Sequence, residues 1–327
     1  MAANIAFTVV SLNYLPYARA LAQSFLRHHP DYQFYIGMLE RRSVKVEAQP
    51  GENILFVEEL ALPEFEAMNS QYSIFELSCA LKPFYAHYFF TSLGAEKVIY
   101  LDSDVLVFTH FRLFDEHPKA EIFLTPHLLA TDGRLELYEL HMLQGGIYNG
   151  GFVGLRKGQQ SLDFLTWWKA RLADYCYQGK KGLFVDQLWL NHVPGYFNKT
   201  EVVHDPGYNV AYWNLQGRTV DFRNDEYVIN GQHPLVFFHY SGFKISEPDR
   251  MSVYQDLLTF TSRPDVKPLF DEYVRVLKEQ QIDRYSKIPC TLGVVSRNRP
   301  SYKNEKNPLT RAIKKTIYKV ERIIGKG

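Results

Sequence analysis

Asp102-Ser103-Asp104 follows directly on the apolar run Val98-Ile99-Tyr100-Leu101. Two carboxylates two residues apart converge on a hard cation where the backbone bends, and Mg²⁺ or Mn²⁺ takes oxygen ligands. The plainer alternative is a pair that caps the next segment. The position after a strand favours the metal, because ligands of open α/β sheets bind beyond the carboxyl ends of the strands. His239 ends a second apolar run, Leu235 to His239, and Tyr240-Ser241-Gly242-Phe243-Lys244 follows. A lone histidine after a strand is more often structural than a ligand. Beside a carboxylate-bound metal, however, Gly242 allows close backbone approach and Lys244 supplies a cation, a combination suited to a pyrophosphate.

Four weaker positions accompany these. Lys82 sits in the apolar stretch Leu81-Lys82-Pro83-Phe84-Tyr85, where a buried anionic partner competes with a lysine that snorkels to the surface. Pro83 predicts an irregular turn or kink there. Tyr148-Asn149-Gly150-Gly151-Phe152 places paired glycines in a strand-like run, which weakens a strand unless backbone must approach something closely. Asn149 then either reaches a sugar hydroxyl or marks a bulge. Asp186-Gln187 opens a predicted helix with Val185, Leu188, Trp189 and Val193 facing inward. Asp186 either complements that helix's dipole or points into a cleft. Asn13-Tyr14 follows the first strand, where a ring and an amide could stack on and read a base, or form an ordinary turn.

The elements that must carry these residues alternate. Strands are predicted at Ile5 to Leu12, Tyr32 to Leu39, Asn53 to Val57, Val98 to Leu101, Ile122 to Thr125, Ile147 to Leu155 and Leu235 to His239. Helical spacing marks Leu15 to Arg27, Phe75 to Leu93, Ser161 to Tyr175, Val185 to His192, Met251 to Phe260 and Val266 to Gln281. Repeated β-α-β order predicts an α/β fold with a mixed, mostly parallel sheet and helices on both faces. The polar, Gly-flanked segment Asp132 to Leu143 is expected to be a mobile flap.

The chain has 327 residues, 46% of them hydrophobic and 22% charged, enough for a sizeable core and too apolar for a disordered chain. No run of eighteen apolar residues is present to span a membrane. The N-terminus lacks a basic, cleavable leader pattern and reads as a core strand. Three widely spaced cysteines, Cys79, Cys176 and Cys290, argue against a disulfide framework or zinc knuckle and fit a reducing cytoplasm. The net charge of +1 hides a basic tail: residues 303–327 hold eight Lys/Arg and two Glu, which leaves −5 on the remainder. A mildly acidic body argues against nucleic-acid binding.

In this order, the segments resemble the nucleotide-sugar glycosyltransferases of the GT-A fold, most closely glycosyltransferase family 8, over about Ile5 to Lys244. The family includes bacterial lipopolysaccharide galactosyl- and glucosyltransferases and glycogenin. The resemblance implies a GT-A, Rossmann-like catalytic domain at 1–245, with 246–295 as its C-terminal helical part. It implies that Asn13 and Tyr14 contact uracil and ribose, and that Lys82 contacts sugar or phosphate. Asp102 and Asp104 with Ser103 match the metal-binding Asp-x-Asp, and His239 the third metal ligand. Asn149 matches the Asn of the family's "F-N-x-G" strand, with Gly150 next to it as a donor-binding residue. Asp186, Gln187 and Asn191 match "D-Q-x-x-x-N", where Asp and Gln bracket the donor sugar, and Tyr208-Asn209 matches a later "Y-N". His239-x-x-Gly242 begins its "H-x-x-G-x-x-K" segment, from which Lys244 departs by standing one residue early. The implied cofactors are Mn²⁺ or Mg²⁺ and a nucleotide-sugar donor, a UDP-sugar. The implied reaction moves a hexose to a hydroxyl of a glycan or lipid-linked acceptor in cell-surface polysaccharide or lipopolysaccharide synthesis. Retention is favoured, with Gln187 at the oxocarbenium-like centre; in an inverting enzyme Asp186 would be the base.

Residues 296–308 read as a polar linker. After it Leu309, Ile313, Ile317, Val320 and Ile324 recur at helical spacing among Arg311, Lys314, Lys315, Lys319 and Arg322. That pattern suits a basic amphipathic helix on an anionic membrane surface, the inner face of a bacterial membrane, or else a helix packed on its own domain. Two other functions share the scaffold. A sugar-phosphate nucleotidyltransferase would carry a Gly-rich loop after the first strand, and SLNYLPYAR has none there. A non-catalytic glycan-binding protein would have no need to keep both Asp102 and Asp104.

Overall fold

The computed structural model describes residues 3–130 and 136–294. The strands in chain order are β1 (Asn4–Val10), β2 (Tyr32–Met38), β3 (Asn53–Phe56), β4 (Lys97–Leu101), β5 (Val105–Val107), β6 (Ile122–Pro126), β7 (Tyr148–Arg156), β8 (Thr200–Val202), β9 (Val220–Arg223), β10 (Glu226–Ile229), β11 (His233–Pro234) and β12 (Phe237–His239). Seven of them form one sheet in the order β3-β2-β1-β4-β7-β6-β8. β3, β2, β1 and β4 run parallel, β7 runs antiparallel between β4 and β6, and β8 is parallel to β6. This is the expected α/β fold. Strand order reverses direction across β1 and β4, so the crevice for a ligand opens where those two strands end.

Both faces of the sheet are covered. Along β1, Ile5, Phe7 and Val9 join one core cluster while Ala6 and Val10 join the other, the two-residue alternation of a strand buried on both sides. One face packs against the helices Ile74–Thr91 and Gln159–Tyr175, the other against Leu15–His28. Ser73 and Glu76 form a reciprocal capping box at the start of Ile74–Thr91. That helix runs on through Pro83 as one element of 18 residues. β5 pairs with β12, and β9, β10 and β11 form a small antiparallel sheet. The helix Lys267–Glu279 closes a third cluster with Tyr240 and Phe243.

Three sequence expectations change. Met251 to Phe260 is not a helix. Its side chains bond its own backbone instead: Ser252 Oγ accepts from Tyr254 N, and Gln255 both accepts from Leu258 N and donates to Leu258 O. Such local bonds compete with the helical ladder. Val185 to His192 is a 3₁₀-helix, Gln187–His192, preceded by Val185 at φ 38°. The tighter winding buries Leu190 and Val193, three residues apart, rather than Leu188 and Trp189. Within the expected flap, residues 131–135 lie outside the described residues and Glu136–Gly145 is helical. The linker and basic tail at 296–327 also lie outside the described residues. Among the described residues, no helix is long and apolar enough to cross a membrane.

Candidate metal centre and its surroundings

The turn after β4 and the end of β12 bring three candidate ligands together. Asp102, Asp104 and His239 each offer one ligand atom, and these lie within 4.8 Å of one another. His239 Nε2 stands 3.1 Å from Asp104 Oδ1 and 3.9 Å from Asp102 Oδ2. The backbone holds the three in register, since Asp102 N donates to Gly151 O at 2.9 Å and Tyr240 N to Asp104 O at 2.8 Å. The carboxylates are 31% and 30% exposed, and the imidazole only 4%.

Hydrogen bonds behind these groups aim them. Asn209 Nδ2 donates to Thr125 Oγ1 and to Asn149 Oδ1, so its Oδ1 is the acceptor facing His239 Nδ1 at 3.2 Å. Nδ1 therefore carries the proton, and the lone pair of Nε2 points at the carboxylates. Three acceptors meeting in this way require either a proton or a cation between them, and two carboxylates with an imidazole suit Mn²⁺ or Mg²⁺. Without a cation the proton takes that place. Burial opposes it, but Asp104 and then Asp102 raise the His239 pKa, while His239 offsets burial to hold Asp104 below its usual value.

Lys82 is the counter-ion at the back of the site. It is buried, with Nζ 2.9 Å from Asp186 Oδ2, 3.2 Å from Asp102 Oδ1 and donating to Gly150 O at 2.9 Å. Burial works against its charge, but Asp102 and Asp186 outweigh it and lift its pKa well above the ordinary lysine value. The same burial raises the Asp186 carboxyl in spite of Lys82. Tyr100 donates its hydroxyl to Asp102 Oδ1. One Asp102 oxygen thus serves the protein and the other faces His239.

The paired glycines make room for these groups. A Cβ on Gly151 would stand 2.5 Å from His239 Cε1 and 2.9 Å from Asp102 Oδ2; one on Gly150 would stand 2.8 Å from Asp186 Oδ2. Asn149 is spent inside the protein: its Nδ2 faces His127 Nε2 and Gln187 Oε1 at 3.1 Å, and its Oδ1 accepts from Gly151 N and Asn209. Gln187 is likewise locked, with Oε1 accepting from Gly150 N at 2.9 Å and Nε2 donating to Gly145 O. Asn191 accepts from Ile147 N. Val185, β-branched and at positive φ, is a strained residue immediately before Asp186.

Around the opening, Tyr14 is 48% exposed and stacks on Tyr17. Burial raises the Tyr14 and Tyr254 phenols and Asp104 adds to the effect, placing both near that carboxylate. Asn13 accepts from Ser11 Oγ at 2.6 Å and from the Cys290 thiol. Gly242, at φ 72°, packs under Tyr254 and Ser252. Ser103 lies half-buried in the turn, whereas Lys244 is exposed and forms no ion pair among the described residues.

Sequence reasoning passes over His127, Asn214 and Trp213. His127 follows the end of β6, so the strand-end rule that found Asp102 applies to it as well. It is buried, its pKa pushed down to about 4 by burial, and its Nδ1 faces Ile147 O. Trp213 packs edge-on against both His127 and His239.

No protein-family model matches the chain. It is similar to two proteins of Bacillus subtilis (strain 168). One is the uncharacterized protein YfnF, 28% identical over 181 residues, which are 54% of this chain and 59% of YfnF. The other is the uncharacterized protein YfnD, 26% identical over 246 residues, 73% of this chain and 77% of YfnD. The matched stretch thus spans less than two thirds of YfnF's length. Similar solved structures are glycosyltransferases. The galactosyltransferase LgtC in complex with donor and acceptor sugar analogs has 16% identity and a TM-score of 0.49, covering 84% of this chain and 95% of that one. The glycosyltransferase GlyE of Streptococcus pneumoniae TIGR4 has 14% identity and a TM-score of 0.47, covering 88% and 66%.

Proposed function

We propose that this protein is a metal-dependent glycosyltransferase of the GT-A type. It would move a hexose from a nucleoside diphosphate sugar, a UDP-sugar, to a hydroxyl of a glycan or lipid-linked acceptor in cell-surface polysaccharide synthesis. The observation that carries this reading is the convergence of Asp102, Asp104 and His239 at the strand-order reversal, with Asn209 orienting the imidazole. Bound there, Mn²⁺ or Mg²⁺ would stabilise the charge of a departing diphosphate as a Lewis acid.

The chain's own groups do the rest. Asn13 and Tyr14, in the 3₁₀ turn Leu12–Tyr14 that follows β1, would contact the base and ribose. Ser103 and Gly242 would present backbone to the donor and the exposed Lys244 would supply a cation at the rim, whereas the Gly150 backbone is spent on Gln187 and Lys82. Lys82 stands within ion-pair distance of both Asp102 and Asp186 and compensates their charge at the back of the site. Asp186 is buried and tied to Lys82, which makes it a poor base for an acceptor hydroxyl and favours retention over inversion. Gln187, held by Asn149, Gly150 N and Gly145 O, would be a fixed dipole beside the donor sugar, and a group locked beforehand needs no reorganisation as charge develops. In the retaining course the leaving phosphate oxygen takes the acceptor proton while the acceptor oxygen bonds the anomeric carbon.

The test is a thermal-shift panel of UDP-sugars, other nucleotide sugars and free nucleoside diphosphates, with Mn²⁺ and with EDTA, on wild type and Asp104→Ala. Metal-dependent stabilisation by one donor, lost in the variant, is expected, since a ligand at a hundred times its Kd adds about 2.7 kcal/mol. Stabilisation by a nucleoside triphosphate with a sugar phosphate instead would identify a nucleotidyltransferase. No response to any nucleotide would overturn the reading.

A further inference from the structure

Separated from the metal centre by Asn209 and Asn214 lies a cavity of about 230 Å³ that the mechanism above leaves unused. Its walls include the apolar Leu128, Ala130 and Pro206, with His204 and Asn214 among the polar residues and Arg218 at one side. Sites that enclose drug-sized ligands run to roughly 300–1,000 Å³, so this one suits a single sugar unit.

Arg218 is the unusual member. It is 5% exposed, and its Nη1 donates to Tyr208 O at 3.0 Å. Among the described residues no carboxylate comes within ion-pair distance of it. Asp205 acts on it only from further away, and Asp205 Oδ1 already accepts from Gly207 N at 2.8 Å. Burial lowers the guanidinium pKa to about 10, with Asp205 partly offsetting, so the group remains a cation at neutral pH. Its backbone is fixed, because Arg263 donates to Arg218 O at 2.9 Å and is itself tied to Asp265. Apart from the bond to Tyr208 O, its donors meet no acceptor among the described residues and line the cavity, which leaves them free for an oxyanion.

The cavity is joined to the metal centre through Asn214. That side chain donates to His127 O and to Asn209 O, and Asn209 in turn faces His239. A diphosphate held at the cation would lie across Asn209 and Asn214 from this cavity, so an anion facing Arg218 would be a second one.

We propose that this cavity receives an acidic sugar of the acceptor, its carboxylate or phosphate paired with Arg218, so that the transferase acts on an anionic glycan. The assignment to the acceptor rests on the transferase reading; the anion site does not. An Arg–carboxylate or Arg–phosphate pair is bidentate and selects planar or tetrahedral oxyanions over hydroxyls. The apolar wall then takes the carbon face of the ring.

Saturation-transfer NMR on the full chain tests this with methyl glucuronide, glucose 6-phosphate, neutral methyl glucoside and inorganic phosphate, each with and without UDP and Mn²⁺. Both acidic sugars should bind at least about tenfold tighter than the neutral one, the usual weight of a charged hydrogen bond. Arg218→Met should abolish the difference. Because that variant also frees Tyr208 O, Ala130→Trp, which fills the cavity from its exposed side, should do the same with UDP and Mn²⁺ binding intact. Equal binding of neutral and acidic sugars, displacement of the acids by UDP, or phosphate alone binding as tightly as the sugar acids would each overturn the proposal. Acidic sugars bound at Arg218 in a protein that ignores every nucleotide would keep the anion site and sink the acceptor role.

Discussion

Replacing Lys82 by methionine tests the electrostatics on which the site is built. The lysine is nearly fully buried and compensates two carboxylates, at 2.9 and 3.2 Å, while donating to Gly150 O. Methionine keeps most of the volume but leaves Asp102 and Asp186 facing each other without a counter-charge. Removing one partner of a buried ion pair costs about 3–5 kcal/mol. At about 2–4 °C per kcal/mol for large domains, unfolding should come about 6–20 °C lower in EDTA. Asp186→Asn alone should cost less, because Lys82 keeps Asp102, and adding it to Lys82→Met should recover much of the loss. Mn²⁺ should restore part of the stability of Lys82→Met, since a cation near Asp102 replaces the missing charge. Thermal unfolding followed by circular dichroism reads all four proteins. A Lys82→Met transition within about 1 kcal/mol of wild type, the size of a surface pair, would refute the argument.

Gly151→Ala should displace His239 and cut Mn²⁺ affinity by about tenfold or more with little change in fold, because its Cβ would stand 2.5 Å from the imidazole; Mn²⁺ titration by electron paramagnetic resonance checks it. Acid stability should depend on His29, which accepts from Phe111 N and donates from Nδ1 to Phe25 O, so its neutral form is required. Burial pushes its pKa down to about 4. Its stability contribution is complete above about pH 6.5, the unfolded value, and falls toward pH 4, reaching a loss of about 2 kcal/mol at pH 5. Urea midpoints at pH 7.5 and 5 should therefore differ less in His29→Gln than in wild type; equal slopes would contradict this. Truncation at Asn307 should release the protein from anionic vesicles in a flotation assay, and equal flotation would remove the membrane role of the basic tail.

Six of the seven strands of the main sheet were legible, because apolar runs such as Val98 to Leu101 mark buried strands without regard to context; the seventh, β8 (Thr200–Val202), is only half-buried and was not. The Asp-x-Asp was legible for the same reason, since a strand end locates it. Where side chains rival the backbone for hydrogen bonds, periodicity misleads. Met251 to Phe260 carries a helical pattern, yet Ser252 and Gln255 bond their own chain. Around Asp186, a positive φ at Val185 and 3₁₀ winding changed which residues face inward.

By itself the sequence determined the α/β order, the strand ends and the residue types able to hold a hard cation, because these depend on local burial and spacing. Tertiary structure alone decided that Lys82, 20 residues before Asp102 and 104 before Asp186, is their shared counter-ion rather than a surface lysine. It also decided that Asn209 aims His239, that Gly150 and Gly151 are spaces for other side chains, and that Arg218 lines a cavity with no carboxylate at ion-pair distance among the described residues. Each of these depends on distances between residues remote in the chain. Charge compensation and close packing act across those distances, and no one-dimensional pattern records them.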